Sequence, residues 1–205
     1  MYKTNYSLLM FLAGISITLT SCGESTREEA VKSVETEPKT EAQKESEELT
    51  EKSEYLIENK VFHAFSDPAG KDEFRIVVAG ESLLKGKVLF TITNPEGKNL
   101  LKEEFDANFL LGYDFTGNIN SKKDTDAFIT KRIKEFFSED KFSSPALKDE
   151  ELYEDQSYYI DKETWEEVKA NKQSIGFFYL LGSEDGRHVA YSKKKGRAVM
   201  YYNCC

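Results

Sequence analysis

Between residues 74 and 139 the hydrophobic period changes from two to about 3.6, and that change rules out an all-β or an all-α chain. In residues 87–93 Val88, Phe90 and Ile92 take alternate positions, so one face of a strand is apolar. Residues 60–65 and 74–79 are short and rich in β-branched or aromatic side chains, and 99–105 completes a hairpin with 87–93. Turn residues separate these runs at Asp67-Pro68-Ala69-Gly70 and Asn94-Pro95-Glu96-Gly97. From Asp124 to Glu139 the apolar residues Phe128, Ile129, Ile133, Phe136 and Phe137 instead share one helical face. Ser121 and Asp124 provide a loose cap, and Asp124 and Asp126 suit the positive end of a helix.

Beyond Ser143-Ser144-Pro145 the order continues. A less regular helix is expected near residues 146–155, and a clear one over 162–171, capped by Asp161 and carrying Trp165. Residues 175–181, 187–192 and 197–202 read as a β-meander joined by two short, glycine-terminated connectors. Strands, then helices, then strands predict an α+β fold: an antiparallel sheet, with β-meander halves at both ends of the domain, and two or three helices packed on one face. Residues 55–205 form this single domain, holding 23 of the 26 aromatic side chains and enough chain for a substantial core.

The preceding segment has another composition. Residues 23–54 carry 11 acidic and 5 basic side chains and no aromatic residue, so they cannot bury enough apolar surface to offset the entropy of ordering. They read as a charged, flexible tether. The whole chain has a net charge of -9, which disfavours a nucleic-acid partner by repelling phosphate.

At the N-terminus Lys3 precedes the apolar run Leu8-Leu9-Met10-Phe11-Leu12-Ala13, which continues through Ile15, Ile17 and Leu19. The run is too short to span a bilayer and has the build of a secretory signal. It closes on Leu19-Thr20-Ser21-Cys22, which resembles the lipobox of bacterial lipoproteins. The resemblance covers residues 1–22 only, and it implies cleavage of residues 1–21 and a thioether-linked diacylglyceryl group on Cys22. It also implies acylation of the freed amine, and two or three chains together hold a protein stably on a membrane. In lipoproteins of this type an aspartate after the cysteine retains the protein at the inner membrane. Gly23 stands there instead, so the resemblance favours the outer membrane of a Gram-negative envelope, at either its periplasmic face or the cell surface.

Motifs for chemistry are sparse. The sequence has no G-x-S-x-G, no phosphate-binding glycine loop and no H-E-x-x-H. His63 and His188 read as strand residues, and Asp124 and Asp126 as a helix start rather than a calcium loop. The acids Glu150, Glu151, Glu154 and Asp155 read as a solvated face rather than a catalytic pair. Lys193-Lys194-Lys195-Gly196-Arg197 is a charged hairpin tip, with contact to an acidic partner or lipid phosphate as the alternative. Trp165, Tyr158, Tyr159, Phe177, Phe178, Tyr179, Tyr201 and Tyr202 contain vicinal pairs that must point to opposite faces, so core packing is favoured over a sugar-binding platform.

Cys204 and Cys205 end the sequence as adjacent thiols. Neighbouring α-carbons lie about 3.8 Å apart, short of the roughly 4.4–6.8 Å usual for a disulfide, so a bridge between them is strained. The readings left open are a vicinal disulfide, pairing between molecules, and a redox or soft-metal site with His188 assisting. No catalytic residue, metal ligand or cofactor is nominated. The function expected is that of a membrane-anchored envelope lipoprotein presenting a non-catalytic binding domain to a protein or glycan partner. The alternatives are an envelope hydrolase using carboxylates and a thiol or soft-metal protein.

Overall fold

Strands whose neighbours in sequence carry matching apolar faces pair with those neighbours, and this happens twice in the chain. The computed structural model describes residues 54–153 and 158–204. The signal segment, the lipidation residue Cys22, the tether up to residue 53, Glu154, Asp155 and Cys205 lie outside the described residues. Strands β1 (Tyr55–His63), β2 (Asp72–Ala79), β3 (Lys87–Thr93) and β4 (Asn99–Asp106) form one antiparallel sheet in the order β1-β2-β3-β4. A second antiparallel sheet has the order β5-β6-β7-β8, from β5 (Phe142–Ser143), β6 (Gly176–Leu180), β7 (Gly186–Ser192) and β8 (Arg197–Cys204). Helix α1 (Lys122–Glu135) lies between the sheets in sequence, and α2 (Lys162–Ala170) lies between β5 and β6.

The fold is α+β, but it has two four-stranded sheets where one was expected. The expected turns form: Gly97 N–H donates to Asn94 O at 2.9 Å with Gly97 at φ 81°, and Gly196 N–H donates to Ser192 O at 2.8 Å. No helix forms at residues 146–152, and residues 154–155 of the expected span lie outside the described residues. Ala146 and Leu147 are buried against the second sheet, and Ala146 N–H donates to Ser174 O at 3.1 Å instead of starting a helical ladder. Among the described residues no helix is long and apolar enough to cross a membrane.

The main core lies where the two sheets face each other. Val88, Phe90 and Ile92 all turn inward and are fully buried, as their alternation requires. Phe74 and Phe90 meet Phe177 of the second sheet at ring-centroid distances of 5.2 and 5.7 Å. Helix α1 joins this core with Ile129 and Ile133, followed by Phe136 and Phe137 just past its end. Its N-cap is Ser121, whose side chain accepts from Asp124 N–H. The opposite face of the second sheet has a smaller core. There Trp165 and Val168 of α2 pack with Ala190, Val199 and Tyr201.

Helix α2 starts at Asp161, whose carboxylate accepts from the Thr164 N–H and hydroxyl, each at 2.9 Å. The backbone bond is the largest cause of a carboxyl pKa lowered from 3.8 to about 2. A carboxyl more acidic in the folded state stabilises fully above its unfolded pKa and loses that contribution as pH falls through its folded one. Asp161→Asn still caps but cannot titrate. Its acid unfolding curve, followed by circular dichroism, is therefore expected to be flatter than that of the unsubstituted chain between about pH 4 and pH 2.

Candidate functional site

The segment between β4 and α1 has no period in sequence, yet it builds one wall of a groove on the domain. Residues Ala107–Leu111 form a 3-10 helix. Three residues per turn place Ala107 and Leu110 on one side, and both are buried in the main core. Ala107 N–H also donates to Gly86 O at 2.9 Å, which pins the turn to the first sheet. Phe109 must then face outward, and it is 48% exposed. Gly112, at φ 55°, reverses the chain, and a side chain there would lie 3.6 Å from Gly182 O of the β6–β7 hairpin. The two segments thus approach each other across a cleft, and the Tyr113 hydroxyl donates to Glu184 Oε1 at 2.5 Å across it.

The cleft has two basins that share Phe109. One, of about 560 Å³, lies between Phe109, the end of α1 and Phe178, Tyr179 and Leu180 of β6. The other, of about 600 Å³, lies between Phe109, Tyr113 and the hairpin Leu181–Asp185. The rim is charged. Arg132 donates to Asp114 at 2.6 Å, Lys141 lies 3.7 Å from Asp140, and Glu135 lines the first basin and Glu184 the second. Lys141 also sits 5.1 Å above the Phe178 ring. A hydrogen bond from Ser138 holds the Asp140 carboxyl below its ordinary range, opposite to what a general acid needs.

A polar network behind the groove holds β6 in place. Arg187 grips Asp185 with two parallel bonds, Nε–Oδ1 at 2.9 Å and Nη2–Oδ2 at 2.8 Å, and reaches Glu103 of β4 with Nη1 at 2.9 Å. Glu103 also accepts from the Tyr179 hydroxyl at 3.2 Å, and Asn203 donates to Asp185 at 2.6 Å. The network therefore ties both sheets to the hairpin that floors the groove. Burial first, then the Glu103 carboxylate, pushes the Tyr179 hydroxyl well above its usual range, so it stays a donor. The Asp185 contact holds the Arg187 guanidinium charged.

The residues singled out from sequence are dispersed. His63 stacks on Phe142 at 3.8 Å and lies 3.8 Å from the exposed Glu139. His188 lies on the outer face of the second sheet among Phe178, Tyr201 and Tyr202, and burial lowers its pKa. Cys204 is half-buried near it, opposite Gly186, while its relation to Cys205 lies outside the described residues. Among the described residues no group of three or more His, Cys, Asp or Glu side chains could hold a metal ion. Glu150 is exposed, and Glu151 accepts from Lys148 N–H in a local turn. Asp124 accepts from Asn118 N–H, and Asp126 pairs with Lys122 within the first turn of α1.

The basic hairpin tip meets acids of α2. Lys194 pairs with Glu163, Lys195 lies 3.1 Å from Asp161, and Glu167 accepts from the Ser192 hydroxyl and the Lys193 N–H. Of the aromatic residues for which core packing was favoured over a sugar-binding platform, Trp165, Phe177, Tyr179 and Tyr201 are buried, and Tyr158, Tyr159 and Tyr202 are exposed. Phe109, Tyr113, Glu103 and Arg187 had no signal in local pattern. The available hint was Phe109-Leu110-Leu111-Gly112-Tyr113, an apolar and aromatic run too short for either period. Compared with known proteins, the chain matches no family model, no curated protein and no solved structure.

Proposed function

We propose that the protein is a lipid-anchored lipoprotein of a Gram-negative envelope, attached through Cys22 and placed at the outer membrane. Its charged tether holds the α+β domain off the membrane, and the domain is a binding module without catalytic chemistry. The cleft between residues 107–114 and β6 is where it engages a protein or glycan partner. The observation that carries this reading is Phe109, a large apolar side chain held half in solvent by a turn whose other apolar residues, Ala107, Leu110 and Leu111, are buried, between two basins of about 560 and 600 Å³. The adjoining charged groups give such a site orientation and specificity.

The test is site-specific photo-cross-linking of the lipidated chain in its own membranes. A photoreactive phenylalanine analogue at Phe109 or Tyr113 is expected to trap a discrete adduct. The same group at Glu96, on the β3–β4 turn, is expected to trap none. Equal adducts at all three positions would contradict the assignment of the cleft. For the anchor, Cys22→Ser is expected to move the protein from the membrane pellet to the soluble fraction, whereas unchanged pelleting would contradict lipidation there.

A further inference from the structure

Three consecutive residues of one strand, Phe178, Tyr179 and Leu180, line the same basin. Successive side chains on a strand point to opposite faces, so all three meet one cleft only if the cleft runs along the strand's edge. Strand β5 is two residues long and pairs only with Gly176 and Phe177; the 3-10 turn Glu139–Lys141 before it lies beside β6, but among the described residues no strand pairs with Phe178–Leu180 on that side. The phase of the main chain follows from the hairpin, where Leu181 N–H donates to Asp185 O at 2.8 Å, toward β7. Alternation then turns the main-chain groups of Tyr179 toward β7 and those of Phe178 and Leu180 toward the cleft.

We propose that the cleft takes an extended, lysine- or arginine-bearing peptide segment as an added strand on the open edge of β6. The inference rests on the binding reading of the cleft given above and names the chemistry of its occupant. Main-chain pairing at an open edge supplies sequence-independent affinity, and the surfaces on either side receive alternate side chains. Here those surfaces are the apolar side chains of Phe178 and Leu180 on one face and Phe109 on the facing wall. The charge of the rim selects the occupant. Asp114, Glu135, Asp140 and Glu184 outnumber Arg132 and Lys141, and each of those two cations already lies against an acid of the rim. The excess is negative and suits a cationic segment.

The experiment measures fluorescence anisotropy on the full lipidated chain in detergent micelles. The probe is an equimolar pool of labelled heptapeptides in which lysine alternates with valine, isoleucine, leucine or threonine. The pool is expected to bind and to weaken severalfold as salt is raised. Binding is expected to fall by roughly tenfold or more when glutamate replaces lysine, and again when the backbone nitrogens of the lysine pool are methylated. Leu180→Pro removes the edge N–H without touching the ladder to β7 and is expected to abolish binding. Glu135→Lys, at an exposed site where folding is not at stake, is expected to weaken the lysine pool and strengthen the glutamate pool.

Equal binding of the methylated pool would overturn strand addition. So would binding of an N-acetylglucosamine tetramer that Phe109→Ala abolishes, which would make the occupant a glycan. If the lysine pool does not bind but the probe at Phe109 still traps a partner, strand addition is wrong and the cleft stands. If neither occurs, both readings fall.

Discussion

Phe177→Ala is expected to destabilise the domain by about 3–5 kcal/mol, a large share of the roughly 5–15 kcal/mol typical of a folded domain. The side chain is fully buried and its ring meets Phe74, Phe90, Phe136, Phe137, Phe142 and Tyr179. These neighbours come from both sheets and from the end of α1. Truncation leaves a cavity that no single element can close by shifting. Chemical denaturation is expected to show a lower midpoint. Phe109→Ala serves as the comparison, because it is half exposed and is expected to change stability by no more than about 0.5 kcal/mol. A protein that tolerated Phe177→Ala as well as Phe109→Ala would not have its core between the two sheets.

Arg187→Leu is the second large effect, with an expected loss of about 2–3 kcal/mol. Removing one member of a buried ionic cluster costs about 3–5 kcal/mol, and here partial exposure reduces it. The Arg187 and Glu103 side chains are each 25% exposed. The substitution leaves the Glu103 and Asp185 carboxylates without their shared cation. Replacing Glu103 and Arg187 together by leucine is expected to recover part of the loss, since the unpaired charge goes with its partner. Additive losses in that double variant would contradict the coupling. Because the network holds β6 and its hairpin, Arg187→Leu is also expected to weaken capture by the photoreactive group at Phe109.

The strands and helices were legible where one face is buried over several residues. Lys87–Thr93 and Lys162–Ala170 form as the alternation and the Asp161 cap require. The division into two sheets was not legible. Each strand pairs with its neighbour in sequence, and no local pattern tells whether β4 continues the sheet or ends it. Glu103 is a case in point. It stands opposite Phe90, on the inward face of β4, where alternation calls for an apolar residue, and Tyr179 and Arg187, 76 and 84 residues later, make it tolerable there. Residues 146–153 carry helix-forming side chains, yet Ala146 and Leu147 gain more by burial against the second sheet.

The cleft was illegible for a related reason. Its walls come from an aperiodic turn and from a strand edge, and Tyr113 and Glu184, which close one end, stand 71 residues apart. An edge is a property of the assembled sheet. It depends on β5 stopping after two residues, which no pattern in residues 142–143 signals.

Hydrogen–deuterium exchange tests the binding assignment most directly, comparing the full chain in its native membranes with the same chain purified in micelles. In the membranes, the amides of residues 107–114 and 178–182 are expected to exchange at least about tenfold more slowly, with the β3–β4 turn unchanged. Unchanged exchange in the cleft, with protection appearing instead at the Ser192–Gly196 hairpin or around Tyr202, would contradict it.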